Sequence, residues 1–442
     1  MYKRLSNRTR AYQSVFGRFE LTRAVYGTHE SKKIEATPLD TRLQLPANEH
    51  SYLLQEWSQI IAAEVPFKKC MEMLCSILPI SMTVDTLEKT NQSYSQHVES
   101  FREKNIQNID EHLENMSVSE AAALKEHLLV LSADGKGVPI KHAGDGSRIE
   151  SHQKNKGPKP DRKRMAVVGA SYVVAPYSRT PETVLDALFR DTANDTTPDN
   201  KQPRPKPLYK SVVANLTRDV GGEKKNATLA TFSWLNAQKD LFSNHIDTPP
   251  IFLMDGQPSL WSEVERQMPD EDRVEILDLL HATSYIWDIA HLLYPSNSPE
   301  IWAFMKDRVL RLLKGEVKSV ISGARQMATK RKLSKDKVKK MEVACHYLEK
   351  NQHRMRYDDY LSQGFPIASG VIEGACRHFV KDRMERAGMQ WTINGAQSML
   401  DVRAVKLNGD WDEFVKHRIE QELDKNHPHK NIVDQIKWPM AA

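Results

Sequence analysis

Apolar and polar positions alternate from Arg10 to Tyr26 (RAYQSVFGRFELTRAVY) about Gly17, and this period of two predicts a small hairpin. From Tyr52 the spacing becomes helical. Glu64 to Gln92 carries an apolar helix, a break near Pro79 and a second helix that Thr83 or Asp85 can cap. That is the outline of a helix-turn-helix, and equally of a plain helical hairpin. A polar helix follows to about Met116. Four short apolar runs then read as buried strands: His127 to Ala133, Met165 to Ala175, Ile251 to Met254, and Val274 to Leu280. The first and third end in Asp-Gly, at Asp134-Gly135 and Asp255-Gly256, and the fourth feeds a helix beginning near His281. Between them, Asp191 to Pro207 has loop composition and Ala227 to Phe242 helical spacing. Pro299 to Tyr360 is helical and basic throughout. After Pro366, Ser369 is placed to cap a helix in which Ile372, Ala375, Cys376, Phe379 and Val380 recur at helical spacing.

Strands interleaved with helices predict an α/β fold, and 442 residues leave room for a sizeable core and more than one domain. No apolar stretch approaches the roughly 18 residues of a membrane span, and the opening MYKRLSNRTR lacks the apolar centre of a signal peptide. A cytoplasmic protein without membrane association is the expectation. Cys70, Cys75, Cys345 and Cys376 form neither a disulfide framework nor a CxxC pair, which argues against structural zinc.

The net charge of +5 is modest, but its distribution is uneven. Lys136 to Met165 holds nine basic against three acidic residues, and Lys306 to Lys340 thirteen against three. The rest of the chain is therefore net acidic. A single Lys-rich run is as readily a solvated helix face, whereas two shift the reading toward a polyanion such as double-stranded DNA. Lys154, Lys156, Arg162, Lys163 and Arg164 in the first run, and Lys330, Arg331, Lys332, Lys335 and Lys337 in the second, are the candidate phosphate contacts.

Two strands that each end in Asp would set Asp134 and Asp255 at the carboxyl edge of a sheet, where α/β folds place ligands. Glu373 adds a third carboxylate in the first turn of its helix. Either Asp-Gly alone is an ordinary turn, and a lone Glu there simply suits the helix dipole. In this order, beside two basic runs, the three suit a site for two Mg²⁺ ions (Mn²⁺ can substitute), as phosphoryl-transfer sites on a ribonuclease H-like sheet use. Asp278 and His281 form D-x-x-H at a strand-to-helix junction and are assigned a supporting role; Asp288 and His291 repeat the spacing on a helix surface.

The blocks SADGKGVPI, IFLMDGQPSLW, ILDLLHATSYIW and GFPIASGVIEGACRHFVKDRMERAGMQW resemble those of bacterial insertion-sequence transposases of the ISKra group, distant relatives of the Mutator superfamily. The resemblance runs from about residue 10 to residue 420, with strong blocks only from Leu129 onward. It implies Asp134, Asp255 and Glu373 as a DDE triad holding the metal, and Asp278 and His281 as the C/D-x-x-H motif. It also implies a ribonuclease H-like core interrupted by an all-helical insertion, and an oligomer acting on transposon ends and target DNA. The implied layout is a hairpin region 1–50, a helical DNA-binding region 51–120, a core 121–298, a basic insertion 299–362 and a closing segment 363–442. Where many relatives carry a cysteine-paired zinc ribbon, Gly27 to Ile34 has no cysteine. The alternatives to a transposase are a catalytically inactive DNA-binding protein built on the same fold, and a metal-dependent nuclease without joining activity.

Overall fold

In the computed structural model, which describes residues 3–27, 34–141, 163–189, 204–269, 272–386 and 388–434, the apolar runs assemble into one five-stranded sheet. Its strands are β1 (Leu128–Pro139), β2 (Lys163–Val174), β3 (Leu208–Leu216), β4 (Ile251–Met254) and β5 (Val274–Leu277). Across the sheet the order is β5-β4-β1-β2-β3. β4 lies parallel to both its neighbours, and β3 runs antiparallel to β2. Every residue of β4 is buried, as a central parallel strand covered on both faces requires. The fold is mixed α/β, and no helix among the described residues is long and apolar enough to cross a membrane.

One expectation is corrected at Asp134. Asp-Gly there is not a turn: β1 continues through both residues to Pro139. The neighbouring strand's side chains lie close across both glycines. A Cβ at Gly135 would stand 3.1 Å from the Met165 sulfur, and one at Gly137 3.0 Å from Lys163 Cδ. β3 has no counterpart among the four predicted runs, since it follows directly on the loop composition that ends at Pro207.

The chain forms two compact units, the second being Ile109–Val138 with Lys163–Lys381. It holds the sheet and six helices that bear on the site: α1 (Ala227–Phe242), α2 (Leu279–Leu293), α3 (Pro299–Leu313), α4 (Val317–Lys330), α5 (Lys335–Lys350) and α6 (Gly370–Gly374). α1 occupies the predicted span and is capped by the Asn226 side chain. The helices α3, α4 and α5 fill the predicted basic region with a core of their own, including Met305, Leu312, Val320, Ala344 and Leu348. That core is continuous with the sheet's through Ile276, Leu277, Ile286 and Ile289.

The first unit gathers Met1–Asn108, Pro139–Arg162 and Asp382–Ala442. Its hairpin pairs Arg8–Ser14 with Gly17–Arg23 about a turn at which Gly17 has φ 123°. Helices Tyr52–Ala62, Phe67–Ile77 and Val84–Ser95 pack on one another, and Thr83 caps the third by accepting from the Thr86 amide at 3.1 Å. That third helix turns Leu87, Thr90, Asn91 and Tyr94 inward. It exposes Asp85, Glu88, Lys89 and Gln92, a face poorly charged for phosphate. Buried guanidinium groups tie the sequence-distant parts together. Arg383 Nε donates to Ala62 O at 2.9 Å, Arg403 donates to Ala63 O, and Arg418 Nη2 donates to Tyr94 Oη at 3.2 Å.

Candidate active site at the carboxyl edge of the sheet

The register of the parallel strands sets the site. Val130 pairs with Ile251 and Leu131 with Phe252, so Asp134 and Asp255 each lie three residues past a paired position. Met254 pairs with Leu277, which makes Asp255 and Asp278 the next step of that ladder. Three aspartates from three adjacent strands thus stand at one level. Glu373 joins them from α6, close enough that Asp278 and Asp134 both act on its carboxyl.

The two aspartates expected to be catalytic are half-buried, and each accepts from a neighbouring backbone amide. Asp134 Oδ1 accepts from the Gly135 amide at 2.6 Å, and its Oδ2 accepts from the Cys376 thiol at 3.1 Å. Asp255 Oδ1 accepts from the Gln257 amide at 3.0 Å, and Asp255 O accepts from Trp261 Nε1 at 2.6 Å. Next to it, the Gly256 amide donates to Tyr347 Oη at 3.1 Å, and Tyr347 stacks on Tyr285 with ring centres 3.7 Å apart. Tyr347 belongs to α5, so the helical insertion fixes the turn that presents Asp255.

The electrostatics follow from crowding of like charge. Burial, and then the negative charge of Asp134 and Asp278, raise the Asp255 carboxyl above its ordinary range, although the Gln257 amide and His281 pull the other way. Burial, then Asp278 and Asp134, likewise raise Glu373, with His281 opposing. Cys376 is driven up well beyond an ordinary thiol by burial and by Asp134, which keeps it protonated and donating. His281, in the first turn of α2, is thus within electrostatic reach of both Asp255 and Glu373.

Asp278 differs from the others: it is fully buried, and both its oxygens are engaged. Oδ1 caps α2 by accepting from the Leu280 amide at 2.6 Å, and Oδ2 accepts from both the amide and the hydroxyl of Ser369. Ser369 stands at the N-cap position expected of it, but its hydroxyl goes to Asp278 and makes no cap bond to its own helix. In the second D-x-x-H, His291 stacks on Trp287 on the same helix, with ring centres 5.6 Å apart.

Among the described residues, no three His, Cys, Asp or Glu side chains are disposed to hold a metal ion as they stand. The donor chemistry nonetheless fits a hard divalent cation, since Asp134, Asp255 and Glu373 offer carboxylate oxygens on one sheet edge, and their mutual repulsion is what a bound cation would relieve.

The basic candidates divide. Lys154, Lys156 and Arg162 lie outside the described residues, while Lys163 and Arg164 are exposed at the start of β2. In the insertion, Lys330, Lys332 and Lys335 are exposed, as are Lys339 and Lys340. Arg331 and Lys337 are exposed as well, but each also makes a bond within the protein. Arg331 donates to Leu293 O at 2.5 Å and lies 4.3 Å over the Tyr294 ring, and Lys337 Nζ donates to Leu292 O at 3.3 Å. Together they satisfy the last carbonyls of α2, groups a helix end otherwise leaves unpaired. Residues the sequence pattern does not single out for the site are Cys376, Tyr347 and Trp261. Only Cys376 carries a signal, three residues after Glu373, although beyond Gly374 the chain passes from α6 into a π-helical stretch, Ala375–Lys381, that holds it.

No family model and no curated protein matches the chain.

Proposed function

We propose that the protein is a DDE-type DNA transposase of an insertion sequence, cutting transposon ends and joining them to target DNA. The observation that carries this reading is the gathering of Asp134, Asp255 and Glu373, far apart in sequence, at one edge of the sheet. The strand order supports a ribonuclease H-like core: numbered along the chain it reads 3-2-1-4-5, with β4 and β5 added parallel to β1. The helices α3, α4 and α5, between β5 and α6, stand where the family resemblance puts its insertion.

Asp134, Asp255 and Glu373 would hold two Mg²⁺ ions, whose chemistry is to activate an attacking oxygen and to stabilise a departing one. The protein's own groups orient a water to displace the 3′-oxygen at the transposon end, and then the freed 3′-hydroxyl to attack a target phosphate, displacing the target strand's own 3′-oxygen. His281 acts electrostatically on Glu373 and Asp255, and Lys136, close enough to act on Cys376, brings positive charge near the site. The exposed lysines of the insertion supply affinity for duplex DNA without reading its sequence.

A second reading, a DNA-binding protein of the same fold without catalysis, is favoured by the Cys376 thiol on Asp134 Oδ2 and by carboxylates that form no ready cage among the described residues. One experiment separates the readings. The protein is incubated with Mg²⁺, DNA bearing the flanking element ends and a target duplex, and joined as well as cleaved products are sought. Transposition predicts both, lost in Asp134→Ala, Asp255→Ala and Glu373→Ala while DNA binding is kept. Cleavage without joining identifies a nuclease, and binding without either identifies the inactive form.

A further inference from the structure

We propose that Asp278 is a positioning residue, the latch that sets Glu373 against Asp134 and Asp255, and not itself a ligand of the metal. The inference rests on the metal-site reading above and specifies what assembles that site. Besides the helical bond that its carbonyl accepts from the Ala282 amide, four bonds converge on this one residue. Its amide donates to Met254 O at 2.8 Å, fastening it to β4 beside Asp255. Its Oδ1 caps α2 at Leu280. Its Oδ2 takes the Ser369 amide at 2.8 Å and the Ser369 hydroxyl. Ser369 O in turn accepts from the Glu373 amide at 3.0 Å, the first helical bond of α6. Next to Asp278, the Leu279 amide donates to Ile367 O at 2.9 Å, which pins the approach to Ser369 from the other side.

Glu373 is therefore one helical turn from a point clamped to the end of β5. Within that turn the Cβ positions of Gly370 and Gly374 meet no other atom within 4 Å, while Ile372 is buried and Val371 packs against the core, so the latch acts together with these two apolar contacts. This side chain is fully buried with both oxygens accepting, and three of its roughly four lone-pair sites are taken by the Leu280 amide and by the Ser369 amide and hydroxyl, which leaves it poorly disposed to hold an ion in the cleft. An aspartate serves better here than an asparagine because every group pointing at it is a donor. In Asp278→Asn the side-chain amide nitrogen would face either the Leu280 N–H or the Ser369 N–H, donor against donor. Ser369→Ala is the gentler perturbation, since it removes one donor and leaves the amide bond in place.

The test uses the full chain and two readouts. Hydrogen exchange of the amides 369–373 reports the latch, and Mn²⁺ affinity by paramagnetic resonance reports the site. Asp278→Asn and Ser369→Ala should each speed exchange in this segment at least about tenfold. They should also weaken Mn²⁺ binding, about 10-fold for Ser369→Ala and up to about 100-fold for Asp278→Asn, the range expected when a ligand's supporting bonds are lost. Faster exchange with unchanged Mn²⁺ affinity would overturn the positioning role and leave Asp278 a structural cap. Loss of Mn²⁺ affinity in Asp278→Asn with none in Ser369→Ala would overturn it in favour of direct ligation. A wild-type protein that binds no Mn²⁺, whatever its exchange pattern, overturns the metal-site reading and the positioning role with it.

Discussion

Replacing Gly256 by alanine tests whether the helical insertion governs the Asp255 turn. In a loop whose backbone tolerates it, Gly→Ala stabilises by about 0.4–1 kcal/mol through lost unfolded-state freedom. The opposite sign is expected here. The new Cβ would meet Tyr347 Oη and lie 2.5 Å from its Cε2 and 2.6 Å from its Cζ, where 3.4–4 Å is ordinary contact. The ring or the turn must retreat by about 1 Å, and the ring cannot swing freely because Tyr285 is stacked on it at 3.7 Å. Overpacking of this kind costs about 1–3 kcal/mol, which outweighs the entropic gain. At roughly 2–4 °C per kcal/mol for a unit of this size, the melting temperature should fall by about 2–12 °C. Cleavage should fall as well, since Asp255 is adjacent. A double-mutant cycle by urea denaturation isolates the contact. In Tyr347→Ala the alanine at position 256 should cost almost nothing, whereas in Tyr347→Phe, which keeps Cζ, the penalty should persist. An equal cost of Gly256→Ala with and without the Tyr347 ring would refute the packing argument.

The remaining predictions concern charge. Asp255→Asn and Glu373→Gln should each melt above wild type at neutral pH without divalent ions. A carboxyl whose pKa is raised by folding contributes stability below its unfolded pKa and loses it as pH rises through the folded value. The advantage should therefore vanish once the pH falls below the ordinary carboxyl range of about 4, and differential scanning fluorimetry on both sides of it checks this; variants that melt below wild type at neutral pH would contradict it. Neutralising Lys330, Lys332, Lys335, Lys339 and Lys340 should leave the fold intact and reduce the log–log salt slope of duplex binding by up to about 0.9 per lost contact, measured by fluorescence anisotropy. Arg331→Ala should instead lower the melting temperature by a few degrees, as the carbonyl of Leu293 loses a charged donor. His281→Ala should slow cleavage about 10–100-fold while melting near wild type; early melting with a normal rate per folded molecule would assign it to structure alone.

What can be read from the sequence is what local pattern encodes. Apolar runs locate β2 and β4 because strands buried on both faces need uninterrupted apolar residues. The helical period locates α1 to the residue. Asp134 is found for a partly mistaken reason: Asp-Gly suggests a turn, while the strand runs on through it with Met165 lying close across Gly135. The basic run is legible by charge alone, and charge does not distinguish Lys330 from Arg331, which is exposed too but also donates to the end of a helix. Tyr347 has no signal at all, being 91 residues from Gly256 and brought to it only by the packing of the insertion. The pairing of Asp278 with Ser369, again 91 residues apart, is hidden for the same reason.

The first unit has a consequence in time as well as in space. Its helix Tyr52–Ala62 ends on carbonyls that Arg383 and Arg403 satisfy, so the partners for its last turn are made more than 300 residues later. At synthesis rates of roughly 5–20 residues per second, that interval is on the order of 15 to 70 seconds. The second unit, complete at Lys381, can fold while the first still waits for its closing segment on the ribosome. A nascent chain would thus hold a formed sheet edge before the other unit is finished, and a ribosome stalled before residue 400 would release a protein with one unit folded and the other open.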